Sequence, residues 1–384
     1  MKHYDDTFRD SGYINNVEQI EGLTPKQKAE LSEVTNTYRF RSSEYYLSLI
    51  DWNNPKDPIR RLIIPDNCEL DQWGALDPSG EHNYTIMPGL EHKYHSTALL
   101  LVSNVCGGIC RYCFRKRVFL TGSDDILKDI DAAIDYIALH PEITNVLLTG
   151  GDPLILSTRR LRLIIDRLAQ IEHVRIIRIG SKMLAFNPFR VINDPELPKM
   201  IRETIEAGKQ VYVMMHFNHA QEITDVAREA IKILQGAGAI LCNQTPMIRG
   251  VNDDPLVLAE LFRELSFMGV PPYYIFQCRP AKGNRAFSVP MEEGYQIFEA
   301  AKAMVSGLAK RARFVMSCTS GKIEIAGLTE DKVFFKYHRA AEDSNSSKFI
   351  VCQRNPQGYW FDDYEELELD SHEIDSTSDF TNWD

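Results

Sequence analysis

Residues 98–117 read ALLLVSNVCGGICRYCFRKR. The first six form an almost unbroken apolar run. A strand covered on both faces reads this way, and such strands lie parallel to their neighbours. Directly after it, Cys106, Cys110 and Cys113 fall in C-x3-C-x2-C spacing. A loop this short can fold three thiolates onto one centre, and Gly107 and Gly108 leave it free to curl. Three ligands are one too few for a closed tetrahedral zinc site. They suit a [4Fe–4S] cluster with three protein-bound irons and one open iron. The alternative is zinc completed by Cys242, Cys278 or a histidine. The cysteines outside the motif (Cys68, Cys242, Cys278, Cys318 and Cys352) are isolated and read as small buried hydrophobes.

The same strand rhythm repeats downstream at 145–149 (NVLLT), 174–179 (VRIIRI), 211–216 (VYVMMH), 239–243 (AILCN) and 273–277 (YYIFQ). Helical patterns fall between these runs, at 126–138, 158–170, 196–207, 222–236 and 254–268, with a further one at 291–306. Six βα units in residues 96–310 predict an α/β fold, a partial (β/α)6 TIM-like barrel with its site at the carboxyl ends of the strands. A doubly wound open sheet is the structural alternative. Residues 1–95 form an α-rich accessory region, helix-like at 25–35 and broken by Pro55, Pro58 and Pro65. Residues 311–363 suggest a small β-rich end with strands at 313–317, 332–337 and 348–352 and a loop at 318–321.

The 384 residues are 44% apolar and 25% charged, which excludes collagenous, low-complexity and wholly disordered classes. The net charge of −11 is a property of the end of the chain. Residues 362–384 hold ten acids and no Lys or Arg, and the rest carries 43 basic against 44 acidic side chains. Residues 364–384 are expected to be a mobile acidic tail. The near-neutral body gives no attraction to nucleic acid or anionic membrane. The first residues show no signal-peptide h-region, and no apolar run is long enough to span a bilayer. Clustered cysteines in such a chain point to a reducing, cytoplasmic setting.

Other motifs sit at the expected strand ends. Gly150 and Gly151 let the backbone approach a ligand, and Asp152 can cap the next segment. His216 and Gln244 end the fourth and fifth runs, where barrel sites are built. Arg111, Arg115, Lys116 and Arg117 place four cations around Cys113, and a guanidinium there can grip a carboxylate in a fork. Lys322 follows Ser-Cys-Thr-Ser-Gly, a loop whose amides can hold a phosphate. In a low-dielectric site its amine would titrate low and could form a Schiff base.

With these residues in place, the chain resembles the radical SAM superfamily, whose motif carries an aromatic before the last cysteine, here Tyr112. It resembles more narrowly the lysine 2,3-aminomutase family. The similar blocks are 48–65 (SLIDWNNPKDPIRRLIIP), 92–117, 147–154 (LLTGGDPL), 174–181 (VRIIRIGS), 214–224 (MMHFNHAQEIT), 243–253 (NQTPMIRGVND) and 273–283 (YYIFQCRPAKG). The resemblance implies a [4Fe–4S] cluster on Cys106, Cys110 and Cys113. It also implies S-adenosylmethionine (SAM) bound by Tyr112, Gly150, Gly151, Asp152, His216 and Gln244. Pyridoxal 5′-phosphate (PLP) would sit on Lys322, with Lys93 and Tyr94 on its phosphate side. Arg115 takes the position that receives the substrate's α-carboxylate. An electron donor such as flavodoxin or ferredoxin is implied, and the oligomeric state is open.

Three departures stand out. The family's run of four glycines before the PLP lysine is replaced by Cys-Thr-Ser-Gly. Its carboxyl-terminal zinc cysteines are reduced to Cys352, so no structural zinc is expected. Arg279 and Ser317 stand where the lysine enzyme has two aspartates for the substrate ammonium. Losing two acids and gaining a cation predicts an acidic or polar amino-acid substrate, with glutamate leading. The implied reaction moves an α-amino group to the β-carbon. The rivals are a family member with a different reaction or without PLP, and an iron–sulfur or zinc module without catalysis.

Overall fold

A computed structural model describes residues 8–9, 12–120 and 125–367. The expected mobile tail lies, from residue 368 on, outside the described residues. Two short strands, β1 (Tyr13–Ile14) and β2 (Ser42–Ser43), pair in the amino-terminal region. Twelve strands form one sheet, and their spatial order follows the chain. They are β3 (Thr85–Met87), β4 (Leu90–Tyr94), β5 (Thr97–Ser103), β6 (Asn145–Gly150), β7 (Ile176–Ser181), β8 (Gln210–Met215), β9 (Ile240–Pro246), β10 (Pro272–Phe276), β11 (Arg313–Cys318), β12 (Gly321–Leu328), β13 (Lys332–Ala340) and β14 (Phe349–Gln353).

Strands β5 to β11 are all parallel, and each crossover between them carries at least one helix. The expected βα repeat is therefore present, and Arg313–Cys318 extends it as one more parallel strand. β3–β4 and β12–β14 add antiparallel pairs at the two edges. The sheet thus runs without a break across residues 95 and 310.

The hydrogen-bonded ladder stays open, but side chains bridge the gap. Arg339 Nη2 on β13 donates to Ser96 Oγ at 2.8 Å and to Thr97 Oγ1 at 2.9 Å, at the start of β5. Tyr84 Oη donates to the Thr319 carbonyl at 2.8 Å, and Lys93 Nζ to the Cys318 carbonyl. The sheet is therefore curled into a partial barrel.

The crossover helices cover its outside. In the helix Thr158–Gln170, Leu161, Ile164, Ile165 and Leu168 are buried on one stripe, at the 3.6-residue period. Along β7 the buried Ile177 and Ile179 alternate with Arg178, which faces inward beside the Lys322 and Tyr94 side chains. The amino-terminal region packs on the same core. The Tyr46 ring lies 4.7 Å from Phe186, and its hydroxyl donates to Glu222 at 2.6 Å. Among the described residues no helix is long and apolar enough to cross a membrane.

Local differences from the sequence reading have clear causes. The helix expected from 126 begins at Ile130, where Asp129 caps the Ala132 amide at 2.9 Å. Before it, the Leu127 amide donates to the Leu101 carbonyl at 2.8 Å, so the chain there lies along β5. The final helix stops at Ala303 and not at 306. Residues 318–321, expected as an open loop, are shorter and more regular than that. They are a hairpin in which Cys318 pairs with Gly321, and Lys322 projects from a strand.

Candidate active site

The cysteine loop is fixed at both faces. After β5, the Gly151 amide donates to Ser103 O at 2.5 Å and the Asp152 amide to Val105 O at 2.8 Å. A Cβ on Gly151 would stand 2.5 Å from Val105 O, and Gly150 sits at φ +114°. Only glycine allows this backbone contact. The amino-terminal region holds the other face. Arg41 Nε donates to Cys106 O at 2.8 Å, and the Arg111 amide to Leu62 O at 3.0 Å. The thiols of Cys106, Cys110 and Cys113 are half-buried and feel one another's charge. Burial pushes all three up, Cys110 to about 12. Among the described residues no group of His, Cys, Asp or Glu is arranged for a single metal ion. A cubane spreads its thiolates over separate irons, so this donor set fits a three-cysteine cluster.

Behind the loop lies a buried polar network. Asp152 accepts from Ser181 Oγ and the Lys182 amide, each at 2.7 Å, which ties β6 to β7. Burial pushes its carboxyl up to about 6. Lys182 Nζ donates to His216 O at 2.8 Å, to Asn218 Oδ1 at 2.7 Å and to Glu222. The Tyr112 hydroxyl donates to the same Asn218 oxygen at 2.9 Å. Burial and the Lys182 charge bring His216 down to about 3, so its imidazole is neutral. Gln244 lies within β9, half-buried and in register with Tyr274.

The four-cation run is matched by protein carboxylates. Arg111 makes a fork to Glu69 at 2.8 and 2.9 Å, and Lys116 reaches Glu69 at 3.4 Å. Arg115 grips Glu81 through Nη2 at 2.7 Å and Nε at 3.1 Å, and its Nη1 donates to Thr149 Oγ1 at 3.1 Å. Arg117 takes the other Glu81 oxygen at 2.5 Å. Free N–H groups remain on both Arg115 Nη atoms. Burial pushes the Glu81 carboxyl up, and Arg115 and Arg117 more than offset it, so the group stays well below its ordinary range. Glu91, on β4, is pushed up to about 8 by burial and by Glu81.

Inside the barrel, Ser317, Lys322 and Arg339 form one row across β11, β12 and β13. Lys322 Nζ lies 4.7 Å from the Tyr94 ring centroid. Burial, then Arg178, Arg339, Arg279 and Lys93, drive its amine far below 10.5. Lys93 is lowered to about 8 by burial and then Arg279. The Tyr94 hydroxyl, pushed up to about 12 by burial, lies beside Ser317 without a well-formed hydrogen bond. Arg279 stacks on Phe114, its Cζ 3.6 Å from the ring centroid, and its buried Nη1 has no partner.

The expected residues thus fall into two connected groups, one around the cysteines and one around Lys322. Glu69, Glu81, Glu91, Arg178, Lys182, Glu222 and Arg339 were not anticipated. The three cations of VRIIRIGSK, Arg175, Arg178 and Lys182, were a hint for the last two.

Residues 100–262 match the radical SAM superfamily model. The chain is 54% identical over 356 residues to the "Putative L-lysine 2,3-aminomutase" of Aquifex aeolicus, covering 92% of this chain and 95% of that one. It is 40% identical over 357 residues to the L-lysine 2,3-aminomutase of Fusobacterium nucleatum, covering 90% and 81%. It is 38% identical over 301 residues to the glutamate 2,3-aminomutase of Clostridioides difficile, covering 77% and 69%. With its three-cysteine loop set at the carboxyl ends of a partial βα barrel, the chain belongs to the lysine 2,3-aminomutase family of radical SAM enzymes.

Proposed function

We propose that this enzyme moves an α-amino group to the β-carbon of an amino acid with an acidic or polar side chain, and that it uses PLP on Lys322. The observation that carries the reading is the Lys322 amine, held low-titrating over Tyr94 and among four cations. A neutral buried amine is the nucleophile a carbonyl cofactor needs, and surrounding cations suit a phosphate. When bound, the cluster and SAM supply a hydrogen-abstracting radical, and PLP supplies a ring that delocalises the unpaired electron.

The chain's own residues position and exclude. Arg115, braced by Glu81 and Thr149, offers its free N–H groups to the α-carboxylate. The curled sheet and the amino-terminal cover keep water from the interior. An external electron donor of the flavodoxin or ferredoxin type reduces the cluster.

Relatives are named for lysine and for glutamate. Arg279 supports the second kind of substrate. It is a buried cation with an unpartnered N–H, which suits a side-chain carboxylate and repels an ammonium.

The test begins with anaerobic reconstitution with iron and sulfide and a reductant-dependent assay for 5′-deoxyadenosine. Borohydride trapping with peptide mapping should place a pyridoxyl group on Lys322, and a panel of amino acids should show glutamate turned over and lysine not. Lysine turnover should rise in Arg279→Asp. Efficient lysine turnover by the unmodified enzyme would overturn the substrate assignment, and an unlabelled Lys322 would overturn the use of PLP.

A further inference from the structure

The interior around Lys322 is charge-unbalanced in a specific direction. Lys322 and Arg339 are cross-strand neighbours on β12 and β13, so their side chains leave the same face of the sheet. Like charges opposite one another destabilise a sheet unless an opposite charge sits between them. Arg339 Cζ lies 4.5 Å from the Tyr94 ring centroid, and Lys322 Nζ lies 4.7 Å from the same centroid. Arg178 reaches the group from β7, where Asn145 Oδ1 holds its Nε at 2.7 Å.

Arg339 donates through Nη2 to two neutral hydroxyls, Ser96 Oγ and Thr97 Oγ1. This fixes the guanidinium without neutralising it. Lys93 Nζ lies 5.6 Å from the same Tyr94 centroid and donates to the Cys318 carbonyl, while Lys93 and Arg279 both feel the Glu81 charge, which gives them a counter-charge.

We infer that Arg339, with Arg178 beside it, is the phosphate-binding cradle of this enzyme: the strand after the lysine hairpin reaches across the barrel opening and supplies the cation that anchors the PLP phosphate. The inference rests on the proposed use of PLP. Its geometry is suited to a phosphate dianion, which brings close to two negative charges and oxygen acceptors for a guanidinium fork. The Ser96 and Thr97 hydroxyls lie where they can turn to the same oxygens, because each can donate as well as accept. Arg339 and Arg178 would then hold the phosphate while Lys322 held the aldehyde carbon, and Arg115 and Arg279 would be left to the substrate.

The test compares PLP with pyridoxal, which has the same ring and aldehyde but no phosphate. Apoprotein is titrated with each, reading the absorbance of the Lys322 adduct and confirming the site by borohydride trapping. Arg339→Gln should weaken PLP by about 10- to 100-fold, the usual range for one charge-assisted contact, and leave pyridoxal within about twofold. Arg339→Lys should recover part of the PLP preference. In the unmodified protein, inorganic phosphate should compete with PLP and not with pyridoxal, a measurement that needs no variant to fold.

Equal weakening of both ligands would mean that Arg339 only closes the barrel, and the inference falls. An undiminished PLP preference in the variant, or phosphate that fails to compete, would overturn it while leaving PLP on Lys322. Absence of any adduct in the unmodified protein would overturn the PLP reading and the cradle together.

Discussion

Glu81→Gln keeps the shape of the side chain and removes the charge that two buried guanidiniums share. Arg115 contacts Glu81 at 2.7, 3.1 and 3.2 Å, and Arg117 contacts it at 2.5 Å. Taking one partner from a buried ion pair costs roughly 3–5 kcal/mol, because the other charge stays buried. Arg117 keeps Asp77 and Asp125, each at 3.4 Å, so the lower end, about 3 kcal/mol, is expected.

The pH dependence follows from the direction of the Glu81 shift. The folded carboxyl is held below its ordinary 4.5. A depressed carboxyl stabilises the fold in full above the unfolded pKa and loses that contribution as pH falls toward the folded one. Urea unfolding of both proteins, with matched cofactor loading, should show the about 3 kcal/mol gap at pH 7. The gap should narrow below pH 4.5. A gap under about 1 kcal/mol, the value of an exposed pair, would refute the reasoning. So would a gap that stays constant into acid.

Four further outcomes are expected. Lys322→Met should abolish the pyridoxyl adduct and leave iron content and SAM cleavage intact. In the unmodified protein the rate of adduct formation should stay high well below pH 10.5, because the amine is already neutral there, whereas a rate that falls with an ordinary lysine profile would contradict its burial among cations. Gly151→Ala should push the chain away from Val105 O and reduce bound iron several-fold, read by iron assay against a fold checked by circular dichroism, at a cost of about 1–3 kcal/mol. Lys182→Met should lose roughly 3–5 kcal/mol by leaving Glu222 buried and unpaired, and adding Glu222→Gln should recover much of it; an additive double variant would mean the two do not act as a pair.

The parallel strands were legible because their residues announce burial directly: ALLLVS and NVLLT carry it in an unbroken run. The cysteine loop was legible because its spacing is local. What sequence could not reveal is partnership across distance. The cations around Cys113 pointed to carboxylates, yet their partners Glu69 and Glu81 lie in an irregular stretch with no periodic pattern. Lys322 was expected to leave a loop because Ser, Thr and Gly dominate that stretch. In the fold those residues form a tight hairpin, and a Cβ on Gly321, at φ +149°, would stand 2.4 Å from the Arg339 carbonyl oxygen. Arg339 itself lies just past the strand expected at 332–337, which in the fold continues to Ala340. Only the curl of the sheet brings it onto Tyr94.

The contacts that bridge the open barrel join residues 225 to 243 positions apart in the chain. Their formation must wait for a very long loop to close, which places them late in folding. On the ribosome, β5 to β10 can pair while the hairpin that bears Lys322 is still unsynthesised. The pocket around that lysine is therefore a product of finished synthesis. Truncation after β11 but before Arg339 should yield a barrel that takes up iron yet has no formed seat for a second cofactor, and the order in which the cell equips the protein follows from the order in which its strands are made.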